Sequence, residues 1–199
     1  MFIRTTILAT LLLASPALAE EIACTDAFAI DSSEQRLIDI YGAENVETGT
    51  VPGPEGTEML ATRVFPGDPQ RQLEFVWWDE ENLAEPSFID LGTKLVGPGG
   101  VHVGMRLDEL EAVNEGPFSL YGFGWDYGGS AGFETGPLSE LEGNCRINVR
   151  LAPRIYPDGL DLSSVMGDRQ ISSDDPLLDQ IDVRVDSVSI GYAHPDFRD

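Results

Sequence analysis

The chain has 199 residues with 12 Lys+Arg against 35 Asp+Glu, and its formal net charge of -23 excludes a general nucleic-acid binder that works by neutralising phosphates. With 42% hydrophobic residues, including nine Phe, five Tyr and three Trp, it carries apolar material for a sizeable core and falls outside the disordered class. One globular domain, or two intimately joined halves, is expected from this length.

Residues 1–19 read as a secretory signal peptide. Arg4 supplies the basic start, Ile7 to Ala14 the apolar run, and Ala17-Leu18-Ala19 the small-x-small pattern of a cleavage site. Cleavage after Ala19 and a periplasmic or secreted location are therefore expected, with residues 20–199 forming the exported domain. The apolar run is well short of the roughly 20 residues that span a bilayer, and no later segment approaches that length, so no membrane span is expected. A charge at Glu21 stands where a lipoprotein signal before Cys24 would want leucine, which argues against lipidation. Losing the leader removes Arg4 and no acid, so 11 basic and 35 acidic residues remain and the charge becomes -24. The acids are scattered along the chain and read as a solvated coat.

Cys24 and Cys145 are the two cysteines. In an oxidising compartment they are expected to pair, closing a loop that would contribute on the order of 4 to 5 kcal/mol by chain entropy. Redox catalysis would want a C-x-x-C, which is absent.

The first helix is expected from Ser32 or Ser33, which are suitable N-caps, through Leu37, Ile38 and Tyr41 on one face to the stop at Gly42. Strands are expected at Val46 to Val51, Glu58 to Phe65 and Gln72 to Trp78, separated by Pro- and Gly-rich turns. The same order recurs about 73 residues on: Leu107, Leu110 and Val113 stripe a second helix, and strands follow at Phe118 to Trp125, near Phe133, and at Cys145 to Leu151. The expected fold is α+β, two tandem helix-plus-antiparallel-meander units (pseudo-repeats 24–82 and 100–155) packed as one domain with short helices on one face of the sheet. Asp158 to Pro176 reads as loop. A C-terminal strand over 181–192 alternates through Ile181, Val183 and Val185, then in opposite phase through Val188, Ile190 and Tyr192, which predicts a β-bulge at Asp186-Ser187.

The densest local signal runs from Pro117 to Gly129. Extended, it would put Tyr121, Phe123, Trp125 and Tyr127 on one strand face and Gly122 and Gly124 on the other. Glycines in a strand mark close approach of a backbone or a ligand, and an aromatic face can stack on sugars or peptides or fill a core. Tyr121, Phe123, Trp125, Asp126 and Tyr127 are the candidate binding residues. The architectural alternative makes the aromatics core, with the glycines admitting the helix from Leu107 to Val113. On that reading Trp125 is a large buried side chain.

Two resemblances accompany these residues. Gly104-Met105 through Glu109, Leu110 and Val113 to Gly116-Pro117 resembles the Gly-Met-x-x-x-Glu opening of the small outer-membrane-assembly lipoprotein family, whose relatives share a helix-plus-meander fold with the β-lactamase-inhibitor proteins. Arg106 stands where that family usually has Ser, and Asn114-Glu115 interrupt its apolar ending. Gly122 to Gly129 resembles a family of uncharacterised exported bacterial proteins carrying a Gly-Phe-Gly-Trp-Asp-Tyr-Gly-Gly block, which implies no activity.

Asp79-Glu80-Glu81 and Asp174-Asp175 offer oxygen ligands without the spacing of a Ca²⁺ loop, and read as turns. His102 and His194 lie far apart, so neither a zinc site nor a His-based triad is supported, and no metal or cofactor is expected. The expected function is that of an exported, non-enzymatic binding protein whose partner is another exported or envelope protein. The alternative is a small acidic glycan hydrolase using the carboxylate pair Asp126 and Glu134.

Overall fold

The structure is a computed structural model that describes residues 21–198; the expected leader and its cleavage site at Ala19 lie outside the described residues. Ser33 accepts a hydrogen bond from the Arg36 N–H at 3.3 Å and starts α1 (Glu34–Tyr41), which Gly42 ends at φ 85°. Four antiparallel strands follow: β1 (Val46–Pro52), β2 (Glu58–Val64), β3 (Leu73–Asp79) and β4 (Ala84–Leu91). The fourth was absent from the expected meander. Its Pro86 sits where the β3–β4 register slips between Val76 and Trp77, so an irregularity hides a strand that pattern reading demotes.

The second half begins with α2 (Leu107–Val113). Glu109 reaches back to accept from the Arg106 N–H at 2.8 Å, so the carboxylate caps the helix where serine is missing. Then come β5 (Ser119–Tyr121), β6 (Ala131–Gly132), β7 (Arg146–Pro153), β8 (Gln170–Ser172), α3 (Pro176–Gln180) and β9 (Val183–Gly191). The fold is α+β, with a six-stranded sheet ordered β1-β2-β3-β4-β9-β7 and a three-stranded one ordered β6-β5-β8, every neighbouring pair antiparallel. A bridge between Ser130 and Arg150 links the two. The stretch Asp158 to Pro176, expected to be loop, contains β8, and α3 begins at its last residue; elements of three and five residues are too short to print a period on the sequence.

β9 joins the two halves by lying between β4 and β7. Its register shifts where expected: Val185 faces Leu151 and Ser187 faces Arg150, leaving Asp186 as the extra residue. Val183, Val185, Val188 and Ile190 are all buried as a result. The strand starts at Val183 because Ile181 closes α3.

One face of the main sheet carries the core. Val64, Phe75, Ile89 and Ile190 from the strands and Leu37, Leu110 and Leu178 from the three helices are fully buried in one cluster. Each such side chain contributes about 1.5 to 3 kcal/mol by leaving water. Cys24 and Cys145 form a disulfide with Cα atoms 6.3 Å apart, tying the N-terminal segment to the start of β7. Among the described residues no helix is long and apolar enough to cross a membrane. Among the described residues the opposite face carries a small cluster of strand residues, Val51, Ala61 and Val76 with Met59 and Phe88, and no helical residue joins it.

Candidate ligand-binding face

The Gly-aromatic block is not an extended strand. After Tyr121 the chain leaves β5 and pairs with the 165–169 segment: the Gly122 N–H donates to Arg169 at 2.8 Å, Phe123 donates to Val165 at 2.8 Å, and Gly167 donates back to Phe123 at 2.7 Å. A Cβ on Gly122 would come within 2.7 Å of the Gly167 carbonyl oxygen. The glycine therefore admits this segment, whereas proximity in sequence leads to the expectation that it admits α2. From Gly124, at φ 87°, the chain turns tightly, and the Gly129 N–H donates to the Tyr121 carbonyl at 2.9 Å.

The turn separates aromatics that a strand would have aligned. Phe123 is buried in the core, Tyr121 and Trp125 are half-buried, and Asp126 and Tyr127 are exposed, Tyr127 to 64%. Tyr121, Trp125 and Tyr127 instead form an edge-to-face ladder with centroid spacings of 5.6 and 5.3 Å, running from the sheet to solvent. The Trp125 Nε1–H donates to the Gly122 carbonyl at 2.8 Å, so the indole is pinned without being engulfed.

Arg150 on β7 fixes the far side of the turn. Its Nε donates to the Gly128 carbonyl at 3.0 Å, and a terminal nitrogen donates to the Asp126 carbonyl. Between the turn and the sheet lies a groove of about 350 Å³ lined by Asp126, Tyr127, Ser130, Asn148, Arg150 and the serines Ser187 and Ser189. Val149 and Val188 point to the core, so their neighbours Asn148, Ser187 and Ser189 face outward and floor the groove. Asn148 Nδ2 donates to Ser189 Oγ at 3.3 Å.

From this floor a polar row crosses the open face. Asn148 stands opposite Ser189, Ser189 opposite Asp90, Asp90 opposite Glu74, and Glu74 opposite Arg63, whose Nε lies 2.7 Å from the Glu74 carboxylate. Lost hydration against the sheet and the charge of Glu74 push the Asp90 carboxyl up to about 6. The side chain still meets solvent, which tempers that penalty. Glu74 and Asp90 also line a cavity of about 200 Å³ with Gln72 and Thr93. Neither acid stood out in the sequence, because only the β3–β4 register makes them neighbours.

Other candidates are absorbed by local structure. Asp79 accepts from the Asn82 N–H at 3.0 Å and from Asn82 Nδ2 at 2.8 Å, closing the β3–β4 hairpin, and these bonds hold its carboxyl below the usual range. Asp175 caps α3 by accepting from the Leu177 N–H at 2.9 Å. His102 is exposed and lies 3.0 Å from the Gly100 carbonyl oxygen. Glu134 accepts from Ser119 Oγ at 2.9 Å and is not among the residues lining the groove that holds Asp126, so that groove does not unite the carboxylate pair. Among the described residues no group of three or more His, Cys, Asp or Glu is placed to hold a metal ion.

A second groove, of about 400 Å³, lies between the N-terminal segment, α1 and Phe65. Its arginine, Arg71, is engaged with Asp68 at 2.9 Å and covers the Phe65 ring, and Glu21, which lines it with Thr25, Asp26 and Tyr41, accepts from the Gly99 N–H at 2.7 Å.

Fold and face together define an α+β protein with one covered and one open sheet face, the open face bearing an aromatic turn beside a polar groove. The chain matches no protein-family model, no curated protein and no solved structure.

Proposed function

We propose that this is an exported, non-enzymatic binding protein of the bacterial periplasm or cell envelope, and that it binds through the open face of its six-stranded sheet. The carrying observation is the Tyr127 ring: it is 64% exposed, yet it stands on a turn held by Arg150 and by a lattice of main-chain hydrogen bonds. A large ring presented to water contributes little to folding, whereas a turn already closed by hydrogen bonds lowers the entropy lost on binding. The localisation rests on the leader-like residues 1–19 and is supported by the Cys24–Cys145 disulfide, which suits an oxidising compartment.

Hydrogen exchange of the protein with and without a cell-envelope extract tests this reading. Protection is expected at residues 125–130 and along β7 and β9. Protection confined to the helical face would overturn it, and release of reducing ends from soluble glycans would replace it with the hydrolase alternative.

A further inference from the structure

We infer that the groove beside Tyr127 is a saccharide site that takes a neutral sugar ring. This deepens, and rests on, the binding function proposed above. The chemistry of the groove has three parts that converge on this ligand class.

The first is the wall. The Ser130 N–H donates to the Tyr127 carbonyl at 3.1 Å and the Gly128 N–H to the Trp125 carbonyl at 2.9 Å, so the ring is carried on a closed turn. Trp125 supports it edge-on at 5.3 Å. A phenol held this way offers a flat, electron-rich face, which attracts the weakly positive C–H bonds on one side of a pyranose ring. The ring loses little freedom when covered, as with the tyrosines of rigid binding loops.

The second is the floor. Asn148, Ser187, Ser189 and Asp126 present amide, hydroxyl and carboxylate groups within one concavity of about 350 Å³, inside the roughly 300 to 1,000 Å³ range of small-ligand sites. Sugar hydroxyls donate and accept at once. They need a surface that does both, which amide and serine side chains supply.

The third is charge. The groove holds one acid, Asp126, and one base, Arg150, whose guanidinium is already committed to the Gly128 and Asp126 carbonyls. The single acid and single base balance in number, so the groove as a whole is close to neutral, and a chain of net charge -23 repels phosphate and acidic ligands at long range.

The test is titration of the isotope-labelled protein with soluble trisaccharides of N-acetylglucosamine and of glucose, up to about 10 mM, the weak-binding range expected for a shallow site. Saturable amide shifts confined to residues 126–130, Asn148, Ser187 and Ser189 are expected with at least one of them. Tyr127→Ala and, separately, Asn148→Ala are each expected to weaken that binding about tenfold or more with the melting temperature unchanged. The absence of saturable shifts with every sugar, or shifts that survive both substitutions, overturns the inference. If sugars leave the groove silent while an envelope protein protects it from exchange, the saccharide assignment falls and the binding function stands. If neither protects the open face, both fall.

Discussion

Gly129 and Leu151 meet backbone to backbone: the Leu151 N–H donates to the Gly129 carbonyl at 2.8 Å, and the Leu151 carbonyl oxygen occupies the space where a Cβ of Gly129 would stand. This contact docks the aromatic turn on β7. Gly167 has a comparable positive φ, 83° against 78°, but nothing within 4 Å of its absent Cβ. Alanine at either position costs about 1 to 2 kcal/mol for the left-handed backbone. Gly129→Ala is expected to cost at least about 1 kcal/mol more, because the turn must lift from β7. Parallel urea melts of the two variants measure the difference, and equal midpoints would deny the docking.

The aromatic turn should show a gradient of energetic weight that follows burial. Phe123→Ala is expected to lose about 3 to 5 kcal/mol, as for a core aromatic. Trp125→Ala should lose less, about 1 to 3 kcal/mol, since the indole is half-buried and donates one hydrogen bond. Tyr127→Ala should lose under about 0.5 kcal/mol. Chemical denaturation with a constant slope reports all three, and a Trp125 loss as large as that of Phe123 would restore the indole to the core.

The disulfide closes a loop spanning 121 positions. Alkylation of the folded protein without reductant is expected to find no free thiol. Replacing both cysteines by serine should cost about 2 to 5 kcal/mol while leaving the sheet intact, since the bridge acts chiefly on the unfolded chain. A double variant with unchanged stability would show that the N-terminal segment adds nothing beyond its own packing.

Asp90 supplies a pH dependence with a definite sign. Its folded pKa of about 6 lies above the ordinary 3.8, so between these values the native state binds more protons than the unfolded chain. Stability from this group is therefore greatest at low pH and is lost as the pH rises through the folded pKa. Asp90→Asn is expected to raise the melting temperature relative to the parent at pH about 8 and to give no advantage at pH about 2.5, the two values standing outside the titration window on either side. Solvent contact at Asp90 keeps the effect modest. Thermal melts of both proteins across this range decide it, and a pH-independent difference would remove Asp90 as the source.

Elements governed by local chemistry were legible in the sequence. Ser33 and Gly42 bound α1, and β1 to β3 fall within one or two residues of their expected positions because their turns are spelled in Pro and Gly. The bulge at Asp186 was readable too, since a phase slip in burial is a one-dimensional signal. The cysteine pairing was legible because the chain has two cysteines and its first residues led to the expectation of an oxidising compartment.

What only the tertiary structure decided are the relationships between distant segments. An alternation of aromatics and glycines fits a strand as well as it fits a turn. The outcome here depended on the 165–169 segment, some 40 residues away, supplying the hydrogen bonds that draw Phe123 inward and leave Tyr127 in water. The groove likewise needs Asn148 and Arg150 from β7 beside Ser187 and Ser189 from β9, an adjacency set by strand register. Periodicity tells which face of a strand is apolar, but strand neighbours are selected by the packing of the whole core. The composition of the open face therefore emerges only when the sheet is assembled.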